Sequence, residues 1–319
     1  AASDVYKRQG NHRVSLWCRS AAEADRLRRD DENKRYLPGI KLGRNIRLAH
    51  FDEIDAEPFD LALFAVPTAG LREALQRVQG RMGDAACVWA CKGFEQGTGK
   101  LPHEVASEEL GPATRCAVLS GPSFAADVAR GLPTAVTLAA NDEAFAVATA
   151  KQLHTGRFRI YSSTDLVGVE IGGAVKNVIA IAAGICDGLC LGDSARAALV
   201  TRGLAEMTRL GLKLGGRVET FMGLSGLGDL TLTCAGDLSR NRRVGLILAT
   251  GKSLADALAE LGHVAEGVHT AKEVLHMAQR LSLEMPITQS VVNVLDGSVL
   301  AAHAVDALLQ RDPKAEGLG

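Results

Sequence analysis

The strongest chemical signature lies in GGAVKNVIAIAAG, 172–184, where one cation, Lys176, stands among small and apolar neighbours. On a helix, the face through Gly172, Lys176, Ile179 and Ala183 is otherwise apolar. A lysine there either snorkels to water or is held in a pocket where its charge is used. The second constellation is GLGDLTLTCAGDLSRNRR, 226–243, which sets Asp229, Thr233, Ser239, Arg240 and Asn241 in a glycine-punctuated stretch. A forked guanidinium and an amide beside a hydroxyl suit phosphate oxygens; the same residues also suit a solvated basic helix start. Shorter motifs follow apolar runs. WACKGF places Lys92 beyond 87–90, and SGPSFA places Gly121, Pro122 and Ser123 beyond 117–119, opening a helix. FAVPT, 64–68, is a third run end, closed by Pro67. Each fits an ordinary turn or a ligand loop. Open α/β sheets bind ligands outside the carboxyl ends of their strands, and helix N-termini there favour anions.

The elements that would hold these loops are legible in outline. Short, near-continuously apolar runs at 13–17, 61–66, 87–90, 117–119, 135–138 and 158–161 read as strands buried on both faces. Amphipathic segments such as 71–82 and 143–153 lie between them. That alternation predicts a doubly wound parallel sheet. After residue 161 come long helical stretches, 166–185, 195–214, 254–261 and 270–281, broken by glycine clusters and without strands. The expected organisation is an α/β domain over 10–163, an all-α domain over 164–310 and a polar tail, 311–319. GLSGLGDL, 223–230, has the glycines of a phosphate loop but follows a helical stretch rather than a strand, which argues against a dinucleotide role.

A chain of 319 residues exceeds what one core usually serves, which also points to two domains. The net charge of −1 argues against a basic surface built for nucleic acid or an anionic membrane. No apolar run is expected to reach the roughly 18 residues of a spanning helix, and AASDVYKRQG lacks the apolar core of a signal peptide. Seven cysteines without a C-x-x-C pair read as reduced thiols of a cytoplasmic protein. Cys186 and Cys190 share a helix face but lack partners for a metal, so no metal is expected. A dinucleotide-binding domain normally opens with strand, G-x-G-x-x-G and helix. Here the first recognisable segment, GNHRVSLWCRS, reads as the second strand of such a unit, and residues 1–9 read as foreign to it. The expected fold is therefore a Rossmann-like sheet domain lacking its first strand and helix, with an unpaired edge, followed by the all-α domain.

In order and spacing, WACKGFEQGTG, SGPSFA, GLPTAV, GGAVKNVIAI, TRGLAEMTRLG, FMGLSGLGDLTLTC, SRNRR, AEGVHTAKEV and EMPIT resemble the bacterial-type NAD(P)-dependent glycerol-3-phosphate dehydrogenases, over about residues 10–310. The resemblance implies that Lys176 is the catalytic lysine. It would protonate the ketone oxygen of dihydroxyacetone phosphate as hydride arrives at carbon, and take the hydroxyl proton in reverse. It implies that Lys92 polarises the carbonyl, that Asp229 orients Lys176 and that Thr233 joins the same cluster. Asn177, Arg240 and Asn241 would hold substrate phosphate or hydroxyls, with Gly121, Ser123 and Ser239 lining the site. Arg19, Lys92, Ala125, Arg240, Val264 and Glu266 would contact the cofactor. Arg19 stands where NAD-selective folds commonly carry an acid, so NADP is favoured over NAD. The implied activity is NAD(P)H-dependent reduction of dihydroxyacetone phosphate to sn-glycerol 3-phosphate for glycerophospholipid synthesis. Its rivals are a related helical-domain dehydrogenase of another hydroxy acid, and a cofactor-free remnant that binds a phosphorylated ligand without turnover. The expected partners are a small phosphorylated substrate and, in a homo-oligomer, further copies of the chain, with no nucleic acid and no membrane insertion.

Overall fold

The computed structural model describes residues 12–43, 45–51, 59–262 and 265–312. Residues 1–9 and Val264 lie outside the described residues. The first half comprises β1 (Val14–Cys18), α1 (Ala21–Asp30), β2 (Ile46–His50), β3 (Leu61–Phe64), α2 (Leu71–Gln79) and β4 (Ala86–Trp89). It continues through α3 (Pro102–Leu110), β5 (Cys116–Ser120), α4 (Ala125–Ala129), β6 (Thr134–Ala140), α5 (Glu143–Leu153) and β7 (Phe158–Ser163). β1 and β2 form a two-stranded parallel sheet, and β3-β4-β5-β6-β7, in that order, form a five-stranded one. Trp17 of β1 meets Phe59 edge-on, ring centroids 5.3 Å apart, and packs against the core of β3 and β4.

All four residues of β4, and all but the first of β5, are buried, as central strands between helical layers should be. β2 falls outside the expected strands because IRLAH alternates a charge with apolar residues and is mostly half-buried, so it lacks a continuous apolar run. The all-parallel expectation also needs correcting. β6 runs antiparallel to β5, pairing Ala117 with Ala140 and Ser120 with Thr137. A parallel crossover usually needs a full helix to carry the chain back over the sheet. The link 121–133 has only the five-residue α4, so the chain turns back beside β5 instead.

Beyond β7 the ordered elements among the described residues are helical. They are α6 (Leu166–Gly188), α7 (Asp193–Lys213), α8 (Val218–Met222), a π-helical turn (Leu224–Gly228), α9 (Asp229–Ala235) and α10 (Arg240–Leu248). Then come α11 (Leu254–Leu261), α12 (Glu266–Arg280), α13 (Pro286–Leu295) and α14 (Ala301–Leu309). Contrary to the sequence expectation, α6 is long and apolar enough to cross a membrane, with 23 residues and a mean hydropathy of 1.6 in its most apolar stretch. That stretch is 89% buried within the protein, and a helix apolar all round is one packed on every side. Asp165 caps it: Oδ1 accepts from the Gly168 N–H at 2.8 Å, while Oδ2 accepts from the Arg217 N–H at 2.8 Å and Thr220 Oγ1 at 2.5 Å. One carboxylate thus starts α6 and ties α8 to it.

Glycines let the neighbours of α6 close in. A Cβ on Gly184 would lie 1.9 Å from the Arg242 carbonyl oxygen, and one on Gly245 would lie 2.0 Å from that of Ile181. One on Gly172 would lie 2.4 Å from the Ser225 carbonyl oxygen. The helix α10 and the π-helical turn therefore rest backbone to backbone on α6. The polar residues that they carry are delivered beside Lys176.

Candidate active site

Lys176 does not snorkel. It is 6% exposed, and its Nζ donates to Asp229 Oδ1 at 2.5 Å and to Thr233 Oγ1 at 2.9 Å. Lys92, two residues past Ala90 where β4 gives way to loop, approaches the same carboxylate from the sheet. Its Nζ donates to Asp229 Oδ2 at 2.6 Å and to the Gly121 carbonyl at 3.4 Å. One buried carboxylate, on the first residue of α9, therefore bridges two ammonium groups. Thr233 lies one turn along α9 and donates its hydroxyl to the Asp229 carbonyl at 2.6 Å, which leaves a lone pair facing Lys176.

The electrostatics follow from this packing. Burial first, and then the neighbouring Lys92, bring the Lys176 ammonium down to about 8, against the pull of Asp229. Burial pushes the Asp229 carboxyl upward, but the two lysines overcome it and hold the group below the ordinary aspartate range. The result is an anion that stays ionised and a cation that titrates near neutral pH.

The loop bearing Lys92 is anchored on both sides. Arg72 of α2 grips the Glu95 carboxylate with two bonds of 2.7 and 2.8 Å, and the Gly97 N–H donates to Glu273 of α12 at 3.0 Å. Gly121, on the next strand end, has φ +144°, and a Cβ there would lie 2.9 Å from Val136 Cα, so only glycine lets its carbonyl face Lys92. Ser123 Oγ donates to that same carbonyl at 3.0 Å.

A second polar set adjoins the first. Asn177 follows Lys176 on α6, and its Oδ1 accepts from Asn241 Nδ2 at 2.9 Å. Asn241 Oδ1 in turn accepts from the Gly267 N–H at 3.0 Å, in the first turn of α12. Glu266, beside it, has its carboxyl pushed up by burial, against the pull of Arg240, Lys92 and Lys176. Ser239 is buried, and its hydroxyl caps α10 by accepting from the Arg242 N–H at 3.2 Å. Arg240 opens α10 and is exposed, while Ala125 opens α4. Arg19 is exposed just past β1, in the other sheet.

Two polar groups at strand ends were not singled out from sequence. Thr68 Oγ1 and Ser120 Oγ are buried and, among the described residues, neither meets a nitrogen or oxygen partner, though the Cys91 thiol lies against Thr68. Both fall within quoted motifs, FAVPT and SGPSFA, whose signal is the strand end rather than the hydroxyl. Ser120 Oγ would lie 3.0 Å from a Cβ on Gly173 of α6, and Lys92 Cγ 3.3 Å from it, so the serine and the lysine both pack against α6 one turn before Lys176.

Over 307 residues, 96% of this chain and 93% of the relative, the sequence is 57% identical to the glycerol-3-phosphate dehydrogenase [NAD(P)+] of Dechloromonas aromatica. The chain belongs to the NAD-dependent glycerol-3-phosphate dehydrogenase family. The models of that family's N-terminal and C-terminal parts match residues 1–146 and 165–306. The namesake enzyme of Nitrosospira multiformis is also 57% identical, over 96% of this chain and 92% of its own. Among solved structures, the glycerol-3-phosphate dehydrogenase of Coxiella burnetii superposes with a TM-score of 0.92 at 40% identity, covering 97% of this chain and 95% of that one. The cluster of Lys92, Lys176, Asp229 and Thr233 thus lies in a dehydrogenase of this family.

Proposed function

We propose that the chain catalyses the reversible NAD(P)H-dependent reduction of dihydroxyacetone phosphate to sn-glycerol 3-phosphate, the backbone precursor of glycerophospholipids, in the cytoplasm. Family membership supports the reaction, and the observation that carries the mechanism is Asp229 bridging Lys92 and Lys176. Residues 10–163 serve mainly the cofactor and residues 164–310 mainly the substrate and the chemistry, with Lys92, Gly121 and Ser123 of the first reaching the substrate and Arg240, Val264 and Glu266 of the second reaching the cofactor.

The residues present fit a nicotinamide dinucleotide. Buried hydroxyls that meet no nitrogen or oxygen partner among the described residues stand at the carboxyl edge of the sheet, at Thr68 and Ser120, where a doubly wound fold takes its ligand. Arg19, Lys92, Ala125, Arg240, Val264 and Glu266 would hold the cofactor. A bound reduced cofactor supplies the hydride. Arg19 offers a cation to a 2′-phosphate, so NADPH is preferred over NADH.

For the substrate, Arg240, Asn241 and Asn177 hold phosphate and hydroxyl oxygens, and Gly121, Ser123 and Ser239 shape the wall. Lys92 polarises the ketone. Lys176 Nζ gives its proton to the ketone oxygen as that carbon is reduced, and Asp229 keeps the ammonium aimed while Thr233 fixes its position. An acid whose pKa is near the working pH gives and regains a proton readily. In the reverse direction the neutral Lys176 amine accepts the hydroxyl proton.

The test is to mix the purified chain with dihydroxyacetone phosphate and either NADPH or NADH, and follow loss of nicotinamide absorbance. Turnover with both, faster with NADPH, is expected. Binding of dihydroxyacetone phosphate without turnover would support a cofactor-free binding role instead. Equal rates with both cofactors would remove the role given to Arg19.

A further inference from the structure

Lys92 and Lys176 come from different elements, one beyond the end of β4 and one from the middle of α6, yet their nitrogens meet on one carboxylate. That meeting requires α6 to lie in a fixed register against β4. A second acid on α6 makes the connection. Glu170 is 4% exposed, and its Oε1 accepts from the Trp89 indole N–H at 2.9 Å and from the His103 backbone N–H at 3.0 Å. Its Oε2 lies 2.5 Å from His103 Nδ1. Trp89 is the last residue of β4, three before Lys92, and His103 is in the first turn of α3. Glu170 precedes Lys176 by six residues on α6, a rise of about 9 Å.

A buried carboxylate is costly unless its lone pairs are met, and Glu170 meets them with donors drawn from β4 and α3. Trp89 is fully buried in a core that it shares with Leu166 and Val169 of α6, so its ring is held in place by packing. The residues facing Glu170 are His103 on α3, with Glu104 beside it, Cys91 beyond β4 and Cys116 on β5. None of them belongs to the proposed proton-transfer set. We propose that Glu170 is a positioning residue for the reaction, which, through its bond to Trp89, sets the Lys92 ammonium against Asp229 and Lys176.

The inference rests on Lys176 as the proton donor, and it has a consequence that simple loss of stability would not produce. After burial, Lys92 is what holds the Lys176 ammonium low. If the end of β4 drifts, Lys92 withdraws, and Lys176 keeps its proton to higher pH. Turnover then falls while the high-pH limb of the reduction profile moves upward.

The experiment compares kcat, KM and the pH profile of reduction for the wild type, Glu170→Ala, Glu170→Gln and Trp89→Phe. Glu170→Ala should lose on the order of 10²-fold in kcat, the scale of a 1 Å misplacement, with the limb shifted upward. Trp89→Phe keeps an aromatic ring but removes the N–H donor together with the pyrrole part of the indole, and should move both readouts the same way by less. Glu170→Gln keeps an oxygen for Trp89 and should recover most of the turnover. If the wild type shows no high-pH limb, the assignment of Lys176 fails and the inference falls with it. If the wild type shows the limb but neither Glu170→Ala nor Trp89→Phe moves it, Glu170 only stabilises the fold and the inference alone is overturned. Should Glu170→Ala not fold, Trp89→Phe and Glu170→Gln decide by the same two readouts.

Discussion

Asp229 and Glu206 are each 1% exposed, and both sit in the helical half of the protein, but they keep different company. Glu206 of α7 accepts from the Ile287 N–H at 2.6 Å, the Thr288 N–H at 3.1 Å and Thr288 Oγ1 at 3.0 Å, so it caps α13. Asp229 accepts instead from two lysine ammonium groups. Burial raises the Glu206 carboxyl, and its backbone donors offset this only in part; at Asp229 the lysines reverse the direction. Backbone N–H groups cannot give up their protons at ordinary pH, whereas Lys176, lowered to about 8, can. A buried acid held by peptide groups is a fastener. One held by a lysine near its own pKa can support proton transfer.

The largest expected effect on turnover tests the second half of that comparison. Lys176→Ala should reduce kcat by roughly 10²–10⁴-fold, the usual contribution of a general acid, with NADPH binding largely kept. A variant with half the wild-type rate would remove Lys176 from the chemistry. Next in size is Arg240→Ala, which should raise the KM for dihydroxyacetone phosphate by about 10–100-fold, from loss of a charge-assisted bond worth ~1.5–3 kcal/mol. Lys213→Ala, an exposed cation at the end of α7, is the control and should leave KM unchanged. Equal shifts would mean that the SRN segment is only a helix start.

A smaller effect comes from pH. In the proposed mechanism the acid for reduction is the Lys176 ammonium, present below its pKa and lost above it. Reduction should therefore hold its rate below pH about 8, fall to half near that value and decline beyond it, while oxidation of glycerol 3-phosphate rises over the same interval. A flat profile through pH 8 would place the proton elsewhere. Glu206→Ala should leave kcat unchanged but lower unfolding stability in denaturant by ~1.5–3 kcal/mol, because α13 loses the charged acceptor at its start. A rate loss without a stability loss would erase the distinction drawn between the two acids.

The chemistry-bearing loops were legible because reactions restrict residue type: Lys176 in its apolar helix and the Asp229–Asn241 stretch are conspicuous without a fold. Several features were not legible, for separate reasons. The direction of β6 leaves no trace in an apolar run, since TAVTLAA reads alike parallel or antiparallel. β2 escaped because its exposed positions broke the pattern. Ser239, expected to line the substrate, also caps α10 through its hydroxyl, a second use that depends on where the helix starts. Glu170 had the same local signal as Lys176, a lone charge in an apolar helix, six residues upstream. Its partners, Trp89 and His103, are 81 and 67 residues away in sequence, and only the folded chain reveals them.

The crossing of α6 and α10 acts as a ruler. Where two helices meet through side chains, their spacing of about 8–10 Å can adjust as rotamers change. At Gly184 and Gly245 the contact is peptide against peptide, with the Arg242 and Ile181 carbonyl oxygens standing where a Cβ would go. Peptide units have no rotamers with which to yield. The span from the backbone of Lys176 to the head of α10, where Arg240 begins, is thereby graduated in backbone geometry. With Lys176 and Arg240 in the roles proposed for them, selection by substrate length, from reacting carbon to terminal anion, would rest on two residues that have no side chain at all.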